Sequence, residues 1–476
     1  MSSSGSEDVR ALDAAMRHAR AYLAELGATP VGATVELETL RGRLGKPLAE
    51  EGVAPDLVID ELARDASAGL VGSAGGRFFG WVIGGSLPAA IGADWLATIW
   101  DQNAALHACG PAAGVVEEVA GAWLKDVLRL PAASSFAFVT GCQMAHVTCL
   151  AAARHALLAE RGWDVEVQGL AGAPAPRILV GETGHGSIER AVGLLGLGRR
   201  NITRLATDRL GRIEPADLAR ALAGTQQPAI VVVQAGDICT GAFDDFATLI
   251  PIARRHGAWV HVDGAFGLWA AASPRYRSLV RGASAAQSWA TDGHKWLNVP
   301  FDCGYAFVGD PLAHHAAVSH RASYLTHATD ARDQLDWNPD WSRRARGFST
   351  YAALRQLGRG GIAELVERCC GHARTLSRGL STLPGAELVS EPIINQALIR
   401  FCDRRPAAGE ADHDRRTDQV IDAVNATGEA FFSGSTWRGR RVMRISVCNW
   451  RTSEDDVERA VAATAQVLRS LQPDAG

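Results

Sequence analysis

Between residues 76 and 325 the chain repeats one pattern. Short apolar runs at 136–139, 177–180, 229–233, 259–262 and 305–308 alternate with longer segments of helical periodicity. Parallel strands need a crossover connection of a dozen or more residues, which a helix ordinarily supplies. The alternation therefore predicts βαβ units, an α/β fold and a mostly parallel sheet. On such a sheet, ligand chemistry belongs in the loops at the strand C-terminal ends. Residues 1–75 read as a helical N-terminal segment, with periodic stretches at 8–26 and 54–66, and not as a separate domain. From about residue 340, a long helical stretch through 352–376 precedes alternating segments near 397–401 and 442–447. A closing helix starts at 454. That order predicts a smaller α+β domain, giving expected divisions at 1–75, 76–335 and 336–476.

Composition removes several classes of function. The 476 residues carry 48 basic and 52 acidic side chains, a formal net charge of −4, so no cationic surplus points to nucleic acid or an anionic membrane. No run of eighteen apolar residues is present, so no membrane span is expected. The N-terminal Met-Ser-Ser-Ser-Gly-Ser-Glu-Asp lacks the basic start and apolar core of a signal peptide, so export is not expected. The nine cysteines lack the paired spacing of a zinc site or disulfide scaffold. They read as small buried residues of a cytoplasmic protein, and no metal is expected.

Lysine is scarce: Lys46, Lys125 and Lys295 are the only three. Lys295 lies in Thr291-Asp-Gly-His-Lys-Trp-Leu297, a glycine-containing turn among apolar and aromatic neighbours, where desolvation is expected to lower its pKa and free a nucleophilic amine. Where arginine is otherwise preferred, a retained lysine suggests use of its amine. About thirty residues earlier, Trp259-Val-His-Val-Asp263-Gly-Ala265-Phe266 ends an apolar run on a carboxylate, a costly place for an isolated charge. An amine and a buried carboxylate are what pyridoxal 5′-phosphate (PLP) needs. The lysine holds it as a Schiff base, and the acid keeps its pyridine nitrogen protonated so that the ring draws electrons from a substrate Cα. The small Ala265 leaves room for the ring to lie flat. The competing reading of Asp263 is a capping residue at a strand end.

The stretch Asp292-Gly-His-Lys-Trp-Leu-Asn-Val-Pro-Phe-Asp-Cys-Gly304 resembles the lysine signature of the group II PLP-dependent amino-acid decarboxylases, the aromatic-amino-acid and glutamate decarboxylase family. The resemblance runs from about Gly76 through Ser342-Arg-Arg344 to Gly439-Arg-Arg-Val-Met-Arg444. It implies the aspartate-aminotransferase fold (type I), with a mostly parallel, seven-stranded-type sheet, helices on both faces and a small α+β C-terminal domain. It also implies a homodimer with shared active sites and an amino-acid substrate. Lys295 then corresponds to the Schiff-base lysine, His294 to a phosphate contact, and His185, in Gly184-His-Gly-Ser-Ile188, to the histidine that stacks on the cofactor and relays protons. Gly141, Cys142 and Gln143, between a strand and the following helix, resemble the phosphate cradle, where backbone N–H groups of a helix start face the dianion.

Departures from the family pattern concern the substrate. The family commonly has Gly-Gly-Ser/Thr-Glu-Ala where this chain has Gly141-Cys-Gln-Met-Ala145, and Gly-Thr-Thr where it has Gly236-Asp-Ile238. Asp237 is a candidate for recognising a cationic group. Many members carry a loop tyrosine that protonates the substrate carbanion, and relatives with phenylalanine there can give aldehydes. Residues 325–341 contain neither Tyr nor Phe. His185, Tyr324 or a partner subunit are the candidate proton donors. Arg444 is read as a carboxylate grip or a structural ion pair. Phe78, Phe79, Trp81 and Trp100 read either as an aromatic substrate pocket or as core. Arg343, Arg344 and Arg346 read as structural or interfacial. The leading expectation is α-decarboxylation to an amine and CO₂. Alternatives are aldehyde-forming oxidative deamination, another lyase reaction, or a non-catalytic PLP-binding protein.

Overall fold

The computed structural model describes residues 4–32, 34–320 and 331–471, with side chains from residue 7 onward. Seven strands form the main sheet: β1 (Ser135–Val139), β2 (Arg177–Gly181), β3 (Ile202–Leu205), β4 (Ala229–Gln234), β5 (Trp259–Asp263), β6 (Ser288–Asp292) and β7 (Gly304–Val308). Their order is β1-β7-β6-β5-β4-β2-β3. The pairs from β6 to β3 are parallel, while β7 runs antiparallel to both neighbours. All five predicted apolar runs fall inside strands, and β1, β4 and β5 are buried along their whole length, as expected of a sheet covered on both faces. β3 and β6 were not anticipated. β3 is a half-exposed edge, and Ser-Trp-Ala-Thr-Asp in β6 mixes polar and apolar residues although every one is buried.

Register brings the chemistry to one edge. Gln234 pairs with Asp263, Asp263 with Ala290, and Asp292 with Gly304. The C-terminal ends of β4, β5 and β6 thus finish side by side. Because β7 starts where β1 and β6 end, Gly304 meets the turn that leads into the helix Cys142–Ala159. A Cβ on Gly304 would lie 2.5 Å from Gly141 Cα, so only glycine permits this approach.

A second, antiparallel sheet contains β8 (Ala386–Ser390), β9 (Gln396–Phe401), β10 (Ser433–Trp437) and β11 (Arg440–Ser446), in the order β10-β11-β9-β8. The helix Glu410–Ala426 packs on it, along with the long helix Gly347–Ser381, which breaks at Gly358 where φ is +59°, and the helix Glu454–Ser470 packs against those two helices. The central core is continuous from Phe79 and the main sheet through Trp269 and Trp289 to Ile399 and Met443. A second cluster fills the opposite sheet face under the helix Cys142–Ala159.

The arginine run resolves into separate structural jobs. Arg343 is buried, donating to Glu117 Oε1 at 2.7 Å and to the Phe138 carbonyl at 2.6 Å. Arg344 pairs with Asp94 and Arg346 with Asp302. Both outer lysines are likewise occupied. Lys46 pairs with Asp65, and Lys125 donates to the Ala132 and Ser134 carbonyls. Among the described residues no helix is long and apolar enough to cross a membrane.

Candidate active site

The strand ends wall a cavity of about 330 Å³ lined by Lys295, Asp263, His185, Ala265, His294 and the Gly141-Cys142-Gln143 turn. Every residue expected to touch the cofactor therefore meets here, drawn from segments more than 150 positions apart.

Lys295 follows β6, and its Nζ lies 3.0 Å from Asp292 Oδ2. The expected drop in its pKa is reversed. Burial does disfavour the ammonium, but the carboxylate of Asp292, reinforced by Asp263, outweighs it and raises the pKa above the ordinary lysine value. The amine is held as a cation and must lose a proton before it can act as a nucleophile. The backbone is clamped as well: a Cβ on Gly84 would sit 1.9 Å from the Lys295 carbonyl oxygen.

Asp263 ends β5 and is 6% exposed. Burial pushes its pKa up, yet the facing His146, His185 and Lys295 prevail and hold it below the usual carboxylate value. Its Oδ1 accepts the Ala265 N–H at 3.2 Å, which fixes the carboxylate over the small residue expected beneath a flat ring.

The cradle is partly filled by the protein itself. The Cys142 N–H at the start of the eighteen-residue helix donates to Asp292 Oδ1 at 2.6 Å, and the Met144 and Ala145 N–H groups both donate to the Gly141 carbonyl, which leaves the Gln143 N–H as the first-turn donor for an anion. Burial raises the Cys142 thiol well above its normal value, so the side chain is a neutral wall. His294 Nδ1 accepts the Cys303 N–H at 3.1 Å, which puts the proton on Nε2 beside the Gly141 turn. Its ring stacks on Phe301 with centroids 4.4 Å apart. A buried carboxylate, a clamped amine, and a helix start with the Gln143 N–H free beside His294 suit the pyridine nitrogen, the carbonyl carbon and the phosphate of PLP in turn.

His185 combines both readings of its sequence position. It caps the helix Gly186–Leu194, its Nδ1 accepting the Ser187 N–H at 3.2 Å, and its exposed ring lies at the cavity mouth. The capped Nδ1 leaves Nε2 to carry the proton.

The proposed substrate residues do not gather at this cavity. Phe79 is fully buried and stacks on Phe432, so it belongs to the core. Trp81 packs against Phe78 and Phe431 with half its surface exposed, and Trp100 meets Phe348. Arg444 donates to the Trp81 carbonyl at 3.1 Å and does not line the cavity. Asp237 is spent on a turn, where its Oδ1 accepts the Cys239 and Thr240 N–H groups, both at 2.8 Å. It faces a neighbouring cavity of about 450 Å³ shared with Thr183, Trp437 and Arg438. Tyr324 lies outside the described residues.

Three contributors went unread in the sequence. Asp292 stands inside the lysine signature and was passed over for its neighbours. Ile238 lines both cavities, where the family pattern has a hydroxyl residue. His146 sits in the second turn of a helix and showed no local signal, since only the fold places it 3.7 Å from Asp263.

A PLP-dependent enzyme of fold type I is what this sheet and this cavity define. Residues 55–401 match the pyridoxal-dependent decarboxylase conserved domain, and the chain belongs to that family. Similar proteins include an aromatic-L-amino-acid decarboxylase of Bacillus atrophaeus, 23% identical over 92% of this chain and 90% of the relative. A 4-hydroxyphenylacetaldehyde synthase of Rhodiola rosea is 23% identical over 94% of this chain and 93% of its own. The crystal structure of Oryza sativa TDC with PLP and tryptamine superposes with a TM-score of 0.91 at 23% identity, covering 98% of each chain. That likeness concerns the fold.

Proposed function

We propose that the chain removes the α-carboxylate of an amino acid as CO₂ and releases the amine, with Lys295, Asp263 and His185 as its working residues. The observation that carries the reading is their convergence on one cavity at the sheet's C-terminal edge. When bound, PLP supplies an electron sink that accepts the pair left on Cα as the carboxylate departs.

The side chains then divide the work. Lys295 Nζ would hold the cofactor covalently until a substrate amine displaces it. Asp292, 3.0 Å away, holds the displaced amine as a cation and takes up or returns its proton. Asp263 holds the proton of the pyridine nitrogen in place. The Gln143 N–H at the helix start and His294 Nε2–H would bind phosphate. His185 Nε2–H, at the mouth, delivers the proton that replaces CO₂ at Cα, while Nδ1 takes up a solvent proton through Ser187 Oγ, 2.8 Å away, so that the ring stays neutral.

Support for a homodimer comes from the family resemblance and from the exposed apolar residues Leu12, Leu23, Leu57 and Leu62 on the N-terminal helices, which a second subunit would cover. All nine cysteines are free, which supports a reducing cytoplasm as the place of work.

One observation favours a second reading. Residues 325–341 contain no Tyr or Phe, and one relative is an aldehyde synthase, so oxidative deamination competes with simple decarboxylation. Screening amino acids for CO₂ released against O₂ consumed separates the two. CO₂ with amine and no O₂ uptake is expected. Matched CO₂ release and O₂ uptake with an aldehyde product moves the assignment to the second reading, and no CO₂ from any substrate removes the first.

A further inference from the structure

Behind Asp263 lies a line of side chains with no part in the steps above. His146, on the helix Cys142–Ala159, and His261, on β5, are both completely buried. Their rings stand at 87° to each other, with His146 Nδ1 2.9 Å from His261 Nε2. His261 Nδ1 lies 2.9 Å from Ser288 Oγ on β6, and the same oxygen accepts the Trp259 indole N–H at 2.9 Å. At the other end, His146 Nε2 has no hydrogen-bond partner among the described residues and faces Asp263 Oδ2 at 3.7 Å.

The two ends fix the direction of this chain. An indole can only donate, and an ionised carboxylate can only accept. With the indole donating to Ser288 Oγ, that hydroxyl is free to donate to His261 Nδ1. His261 Nε2–H then donates to His146 Nδ1, and the remaining proton of His146 sits on Nε2, aimed at Asp263. The reverse order would point an imidazole lone pair at a buried carboxylate, which the low dielectric penalises. Burial presses both histidines below their usual pKa, His261 to about 3, so the chain is neutral at neutral pH. Cys142, His146 and Asp263 also place ligand atoms within 4.8 Å of one another, but a protonated Nε2 offers a cation no lone pair. Packing alone does not call for two imidazoles between a helix and a sheet, because apolar residues fill such a site without desolvation cost.

We infer that His146 is a positioning residue for the proposed reaction. Its Nε2–H, oriented through His261 and Ser288, keeps Asp263 ionised opposite the cofactor's pyridine nitrogen without adding a buried charge. The inference rests on the assignment of Asp263 made above. It acts through one atom of the ligand, and that atom can be removed.

The test titrates apoenzyme with PLP and with 1-deaza-PLP, in which carbon replaces the ring nitrogen, following tryptophan fluorescence. His146→Leu should weaken PLP by about ten-fold or more while leaving the deaza analogue within about two-fold, the loss of an N–H dipole that faces a buried charge. His146→Gln, which keeps a donor near the Nε2 position, should restore most of the difference. Equal losses for both ligands, or none for either, overturn the inference. Should His146→Leu fail to fold, Ser288→Ala removes the hydroxyl that sets the direction and should show the same selectivity. Asp263→Asn is the control. If it does not separate the ligands, the Asp263 assignment fails. If it does and the His146 variants do not, the inference fails alone.

Discussion

The proposed cofactor side and the proposed substrate side of this molecule are built differently. Lys295, Asp263 and the Gly141–Gln143 turn stand at the ends of fully buried strands whose register fixes their separation. Trp81 and Asp237 lie in turns and Arg444 within β11 of the smaller sheet, and each is engaged by the protein itself. A fixed sheet edge can hold unvarying chemistry. Specificity is left to surfaces that can change without disturbing it.

Substitutions can break that division. The largest loss is expected from Asp263→Ala, about 10³-fold in kcat, because an electrostatic partner of the reacting system is removed. Steady-state CO₂ release measures it, and a loss under ten-fold would show that the buried edge is less committed than its geometry implies. His185→Gln should cost about 10²-fold in kcat with little change in KM, as for a lost proton donor. A change confined to KM would move His185 to the substrate side of the comparison.

Acid sharpens the contrast through stability. His261 and His314 are both buried, and each pKa is pressed down to about 3 by desolvation, with His314 held between Ser135 Oγ and the Trp337 carbonyl. The unfolded chain binds protons near pH 6.5 that the folded chain refuses. Stability from these groups is therefore complete above about pH 6.5 and falls as pH drops toward 3. Urea unfolding at several pH values should show that slope, and His314→Phe should flatten it. An unchanged slope in His314→Phe would mean that His314 does not resist protonation in the folded chain. The smallest effect is expected on the other side. Asp237→Asn keeps the oxygen that caps its turn, so KM should move by less than about three-fold. A large rise in KM for a cationic substrate would return Asp237 to the site.

Much of the first region was readable because it obeys local rules. Strand ends followed from apolar runs, and Lys295 stood out because only two other lysines exist. What escaped depended on assembly. The pKa of Lys295 rises through Asp292, whose approach depends on how the turn folds back, so desolvation alone gave the wrong sign. β6 hid because its Ser288, Thr291 and Asp292 are polar yet buried by neighbours on either side. Phe79 and Trp81 were indistinguishable by pattern, although one is core and the other half-exposed. His146 reaches Asp263 only because a helix and a strand distant in sequence pack face to face.

With three lysines in the chain, the covalent anchor can be located without ambiguity. Holoenzyme reduced with borohydride fixes the cofactor where it is attached, and peptide mass spectrometry then reads the position. The pyridoxyl group is expected on the peptide bearing Lys295 and absent from those bearing Lys46 and Lys125. Label on either of those two, or on no lysine after incubation with PLP, would contradict the site described here.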